Sequence, residues 1–222
     1  MIEKYLQIET LSSVFLGNFN PTIVQPYWLA SKGLIRELEA EDATVEVIHP
    51  QIVRYSLGWV SIEVTQNRFE LKTSKSPYFE VLRDLAISIF KILNETPLKG
   101  LGINHIYHYA IPNANIYYDI GNKLVPLSNW DFLNDPRLLQ LEILEDQRKD
   151  GFQGKYRVKV YPSDQKLSTK YGITLGINDH FDSKSENTGA NFFVNLLSEQ
   201  WDESFKRADE VKSKLEKLIN NE

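Results

Sequence analysis

The chain contains no cysteine. That single absence removes disulfides, thiolate nucleophiles and cysteine-ligated zinc or iron-sulfur sites together, and it fits a reducing compartment. Long apolar runs are missing as well. None approaches the roughly 18 residues needed to cross a bilayer, and Met1 to Gln7 lacks the basic segment and apolar stretch of an export signal. A cytoplasmic protein with no membrane partner is therefore expected. Nor is positive charge in excess: 25 Lys and Arg stand against 30 Asp and Glu, which disfavours unspecific attraction of the whole molecule to phosphate backbones. Motifs are scarce too. There is no Gly-x-Ser-x-Gly stretch, no phosphate loop ending in Gly-Lys-Ser/Thr, no two-histidine zinc-protease helix and no Gly-x-Gly-x-x-Gly after a strand. These absences favour a non-catalytic protein and imply no cofactor.

What the chain has is apolar content, 42% hydrophobic and 12% aromatic over 222 residues, enough to bury a core. Its most informative feature is an order of elements that runs twice. A strand over Ser12 to Phe19 leads to a short Trp-bearing helix over Pro26 to Lys32, three strands between Val45 and Thr73, and a helix from Pro77 to Leu93. The second pass is a strand over Ile103 to Ile111, a short helix over Ser128 to Asn134, three strands between Leu138 and Asn178, and a helix from about Gly189 to Leu218. The strands rest on period two, as in Val60, Ile62, Val64 and Tyr156, Val158, Val160. The long helix from Pro77 opens on a Ser76-Pro77 cap, and the last helix carries a seam of Phe193, Leu197, Trp201, Phe205, Ala208, Val211, Leu215 and Leu218. At about 1.5 Å per residue that helix outruns an ordinary strand, so its last two turns are expected to fray or to offer a surface for a homodimer.

The fold class so reached is α+β: duplicated β-α-β-β-β-α units, mainly antiparallel sheets with helices on one face, related by a pseudo-two-fold. Residues 1–112 hold the first unit and the strand that opens the second, and 113–222 the remainder, in one compact module. The acidic run Glu37 to Asp42 is expected to be a solvated connection, and Asn113 to Pro126 a polar connection between the halves.

Candidate sites fall into three groups. Ile103, His105, Tyr107, Tyr109 and Ile111 share one strand face, and polar-tipped aromatics line ligand grooves as well as cores. Between Gln147 and Lys170 seven basic residues face only Asp150 and Asp164; Arg157, Lys159 and Tyr161 alternate onto one face there, a surface for nucleic acid or an acidic protein. Asn178-Asp179-His180-Phe181-Asp182 sits where a strand exits, and Asp179, His180 and Asp182 are weak candidates for a metal or a base. The same residues equally suit turn and capping chemistry.

Two stretches, Leu101 to Pro112 and Ile173 to Phe205, resemble an uncharacterised, sporadically distributed bacterial family of conserved hypothetical proteins, in which the first takes the form Leu-Gly-x-x-Tyr-x-Asn-x-Ile-x-x-Pro. Here the asparagine is Asn104 and a histidine stands at His108. The second stretch is a hydrophobic strand, an acidic turn and the last helix. The resemblance implies no activity. The element order is also similar to the pseudo-symmetric folds of bacterial effector-binding domains and TATA-binding-type saddles, an analogy of fold alone. The function expected is binding of a protein, peptide or small ligand across the sheet junction through His105, Tyr107, Tyr109, Arg157, Lys159 and Tyr161. The alternatives are a nucleic-acid binder on the strand around Arg157 and a metal-dependent hydrolase at Asp179, His180 and Asp182.

Overall fold

The computed structural model describes residues 5–183 and 189–220; most of the Met1 to Gln7 stretch read for an export signal, and the approach to the last helix, lie outside the described residues. Among the described residues nine strands form one antiparallel sheet: β1 Leu6–Gly17, β2 Thr44–His49, β3 Ile52–Ser56, β4 Ser61–Thr65, β5 Arg68–Thr73, β6 Leu98–Ile111, β7 Leu141–Glu145, β8 Gly154–Pro162 and β9 Tyr171–Asp182. Their spatial order is β2-β3-β4-β5-β1-β6-β9-β8-β7. The long strands β1 and β6 therefore lie side by side at the centre, in register from Leu16 opposite Gly100 to Ile8 opposite His108. Helices accompany the sheet: α1 Pro26–Ser31, α2 Glu37–Glu41, α3 Phe79–Ile92, α4 Ala114–Leu124 and α5 Ala190–Asn220. The α+β class and the antiparallel pairing expected from the tight turns are both present.

Odd-numbered residues of the two central strands face the helices. Leu11 and Phe15 of β1, with Leu101 and Ile103 of β6, join Phe69, Leu82, Ile89, Phe90 and Trp201 in one buried cluster, where the rings of Phe15, Phe19, Phe69 and Phe90 pack within 4.3–6.4 Å of one another. A second cluster gathers Tyr107, Tyr109, Ile111, Ile120, Tyr156, Val160, Ile173, Leu175, Ala208 and Leu215. Between them runs a buried polar layer of His105, Asp179 and Ser204. Each long element changes character there: β6 passes from Ile103 through His105 to Tyr107, β9 from Ile177 through Asp179 to Phe181, and α5 from Trp201 through Ser204 to Ala208.

The structure corrects several expectations. Asn113 to Pro126 is not a loop but contains α4: the Asn113 side chain accepts from Ile116 N at 3.0 Å and caps it, and Ile116, Tyr117, Ile120 and Leu124 turn one face onto the second cluster. The helix expected over Ser128 to Asn134 is only a single 3-10 turn, Leu127–Trp130. The acidic run folds as α2, where the Glu39 carboxylate receives the Arg36 backbone N–H at 3.0 Å and the Trp59 indole N–H at 3.1 Å. The first half holds four strands after its helices, not three, because β2 is an edge strand with five of its six residues exposed and so shows no alternation. The end of α5 is docked: Leu215 is buried in the second cluster, and Lys123 of α4 donates to the Leu218 carbonyl at 3.1 Å.

Candidate functional site

A strand alternates its side chains between two faces, and that parity divides the six expected site residues into two sets that cannot meet. His105, Tyr107 and Tyr109 point under α5 and are at most 1% exposed. The His105 Nε2 lies 3.1 Å from Ser204 Oγ and its ring meets the edge of Phe205. Burial, opposed by the Asp179 charge and reinforced by Arg207, lowers its pKa to about 4, so it is neutral near pH 7. The Tyr109 hydroxyl reaches Glu216 at 3.5 Å, and burial pushes the hydroxyls of Tyr107, Tyr109 and Tyr156 well above their usual range. These residues form the core beneath α5 and do not line a groove. Arg157, Lys159 and Tyr161 project from the other face, the one that carries Asn104 and Asn178.

The same parity separates the proposed metal ligands. Asp179 faces the helices and is fully buried, whereas His180 belongs to the open face, where its Nε2 pairs with Asp182 at 2.9 Å. All three lie within β9, not in a loop beyond it. Among the described residues no group of three His, Asp or Glu is placed to hold a metal. Asp179 has a different role. Its Oδ1 accepts from Arg148 Nη1 at 2.6 Å and its Oδ2 from Arg207 Nη2 at 2.5 Å. Asp150 closes the ring by accepting from Arg148 Nη2 at 2.5 Å and Arg207 Nη1 at 3.0 Å, and both guanidinium groups lie over the Phe181 ring. Burial works to raise the Asp150 pKa, but hydrogen bonds from Arg148 and the Phe152 backbone outweigh it and hold the carboxyl below its usual range. Two arginines against two aspartates make the cluster neutral, which lets Arg148 sit with 2% of its side chain exposed.

On the open face the even-numbered residues of the central strands form a depression of about 270 Å³ lined by Ser12, Arg68, Glu70, Asn104, Ile106, Arg157, Lys159, Tyr161, Gly176, Ile177 and Asn178. Its floor is a row across the sheet. Ser12 stands opposite Asn104, Asn104 opposite Asn178, and Asn178 opposite Arg157. Asn178 Nδ2 donates to Asn104 Oδ1 at 2.5 Å, and Asn104 Nδ2 donates to Ser12 Oγ at 3.1 Å. Each amide keeps a second N–H, and Ser12 its own O–H, so the floor is rich in donors. Glycine makes the depression: a Cβ at Gly102 would come within 3.2 Å of the Asn178 amide, and one at Gly176 would stand against the Tyr161 ring at 3.6 Å.

The two walls differ in charge arrangement. On the β8 side a single carboxylate, Glu142, serves two cations, Arg157 Nε at 3.2 Å and Lys159 Nζ at 3.1 Å. On the β5 side one cation, Arg68, is shared by Glu70 at 2.8 Å and Glu63 at 3.6 Å. The cationic strand expected from the sequence is thus largely compensated by β7, with Lys155 also paired to Asp146 at 3.0 Å. The surplus positive charge lies at Arg157 and Lys159.

Sequence reasoning found the β8 wall and missed the floor. The available signal was parity in the central strands: Gly100, Gly102, Asn104, Ile106 and His108 alternate with the buried residues of β6, and Gly176, Asn178 and His180 with those of β9. A second open-face histidine, His108, holds Ser163 Oγ at 2.8 Å and Thr174 Oγ1 at 3.0 Å. Burial, against the Asp164 charge, lowers its pKa. No protein-family model matches the chain, and no curated protein matches it.

Proposed function

We propose that this is a non-catalytic, cytoplasmic binding protein whose open sheet face receives an acidic peptide segment laid across β1, β6, β9 and β8. The observation that carries the reading is the floor row Ser12, Asn104 and Asn178, which offers spare donors and ends at Arg157. Four strands about 4.8 Å apart make the row about 14 Å long, the reach of roughly four extended residues. Backbone carbonyls of such a segment suit the amide and hydroxyl donors, and an acidic side chain suits the pair of cations that share Glu142.

The strand order supports a duplicated origin for this surface. From the centre outward one half reads β1-β5-β4-β3-β2 and the other β6-β9-β8-β7, and each half opens with its central strand and closes with a long helix. On this reading the depression lies beside the seam of two related units, where pseudo-symmetric folds tend to place ligands.

Calorimetry with a blocked tetraglutamate peptide tests the proposal. Saturable binding that weakens roughly tenfold between low and high salt, and that is lost in Asn178→Leu without a change in melting temperature, is expected. Equal binding of tetralysine, or none of tetraglutamate, overturns the peptide reading. Binding of single-stranded oligonucleotide in its place would favour the nucleic-acid alternative through the same Arg157 and Lys159.

A further inference from the structure

We infer that the open face holds a second anion subsite at Lys72, so that its ligand carries two acidic side chains six residues apart with a neutral stretch between them. This subsite deepens the peptide reading just proposed and depends on it. The floor row does not stop at Ser12. Ser12 also stands opposite Lys72 of β5, Lys72 opposite Ser61 of β4, and Ser61 opposite Ser56 of β3. From Ser56 to Arg157 the row crosses seven adjacent strands without a carboxylate. The neighbouring rows do contain them: Glu63 stands opposite Glu70, and Glu142 opposite Lys159. The cations of the row are Lys72 and Arg157, and only the neutral donors Ser12, Asn104 and Asn178 lie between them.

A second depression, of about 370 Å³, marks the Lys72 end of the row. Ser56, Ser61, Lys72, Ser74 and Lys75 line it, and Glu70 lines both this depression and the one over the central strands, so the two adjoin. Its three glutamates are already engaged. Arg54 holds Glu46 at 3.5 Å and Glu63 at 2.6 Å, and Arg68 holds Glu70 at 2.8 Å. Lys72 and Lys75, by contrast, take part in no ion pair among the described residues. Lys72 is exposed, so a carboxylate can meet its three N–H donors without either charge being buried.

Distance and parity set the charge pattern of the ligand. Lys72 on β5 and Arg157 on β8 are separated by the steps β5-β1-β6-β9-β8, which at about 4.8 Å each make roughly 19 Å. An extended segment advances about 3.3 Å per residue, so roughly six residues span the two cations. Alternation then selects six over five or seven, because only an even separation turns both acidic side chains toward the sheet. The stretch between them lies over Ser12, Asn104 and Asn178, whose spare donors suit backbone carbonyls and call for no further charge. A four-residue segment, at about the same rise, is too short to meet both cations.

Calorimetry of the full chain with two blocked heptapeptides of Glu, Ser and Gly, alike in composition and charge, reads the spacing. One carries Glu at its first and last positions, the other at its first and fourth. The widely spaced peptide should bind roughly threefold tighter, within the range of one exposed ion pair. Lys72→Gln, at an exposed position, should keep the melting curve and abolish that advantage while leaving tetraglutamate binding unchanged. Equal binding of the two heptapeptides overturns the second subsite, as does an advantage that survives Lys72→Gln; in both cases binding of tetraglutamate leaves the peptide reading standing. No binding of any of the three peptides overturns both.

Discussion

Neutralising Asp179 should cost the fold more than any other single loss of charge. In Asp179→Asn the side chain keeps its shape, but the two guanidinium groups that bracket it, with contacts of 2.6 and 2.5 Å, now face an amide. One arginine finds a carbonyl oxygen and the other finds an NH2 donor. Arg148, with 2% of its side chain exposed, cannot turn to water. Removing one partner of a buried pair typically costs about 3–5 kcal/mol. The lower end applies here, because Asp150 still compensates part of the charge and Arg207 is 25% exposed. About 3 kcal/mol should lower the melting temperature by roughly 6–12 °C for a chain of this size. Urea denaturation followed by fluorescence of the buried Trp201, whose indole N–H donates to Glu80 at 2.8 Å, measures it. Asp182→Asn, which loses a half-exposed pair with His180, serves as the control and should fall within about 0.5 kcal/mol. A cost below about 1 kcal/mol for Asp179→Asn would refute the claim that this cluster is a fully compensated buried network.

Other predictions follow from the same layers. His105 has a folded pKa of about 4 against 6.5 for the free group, so its neutral form is favoured by folding. The associated stability is complete above pH 6.5 and is lost as pH falls through 4, by at most about 3.4 kcal/mol at about 1.36 kcal/mol per pH unit. His105→Gln, which keeps a partner for Ser204, should flatten that part of the profile, and matching profiles for variant and parent between pH 7 and 4 would contradict the assignment. Gly154 has φ 128° and a Cβ there would stand 2.0 Å from the His180 carbonyl oxygen, so Gly154→Ala should destabilise by at least about 2 kcal/mol in urea. Gly176→Ala, whose Cβ meets only ordinary contacts, should leave stability within about 0.5 kcal/mol while weakening tetraglutamate binding in calorimetry. Phe90→Ala should cost about 3–5 kcal/mol, since it empties the centre of the ring cluster with Phe15, Phe19 and Phe69.

The parts of the fold legible in the sequence are those whose environment is one-sided. Val60 to Thr73, Tyr156 to Val160 and Ile173 to Ile177 alternate because one face of the sheet is buried and the other wet. The strand β2 does not, since as an exposed edge it buries neither face. The helix α4 escaped because Tyr118 and Gly121 dilute its seam and Asn113 and Asn115 suggest a loop; the capping role of Asn113 was the signal available. The site was less legible than the fold. His105 and Arg157 each sat on a correctly read strand, but which face of β6 matches which face of β8 depends on the strands between them, and no local pattern records it. The link of Asp179 to Arg148 and Arg207 spans 31 and 28 residues with no motif spacing to announce it.

The donor-rich row across the open face is the proposed binding surface. Titrating the 15N-labelled protein with tetraglutamate reads that row directly through the side-chain amide signals of Asn104 and Asn178. Both should move together and saturate, while signals from residues beneath α5, such as the Tyr107 and Tyr109 backbone amides, move far less. Amide signals of Asn104 and Asn178 that stay fixed while shifts appear elsewhere would contradict it.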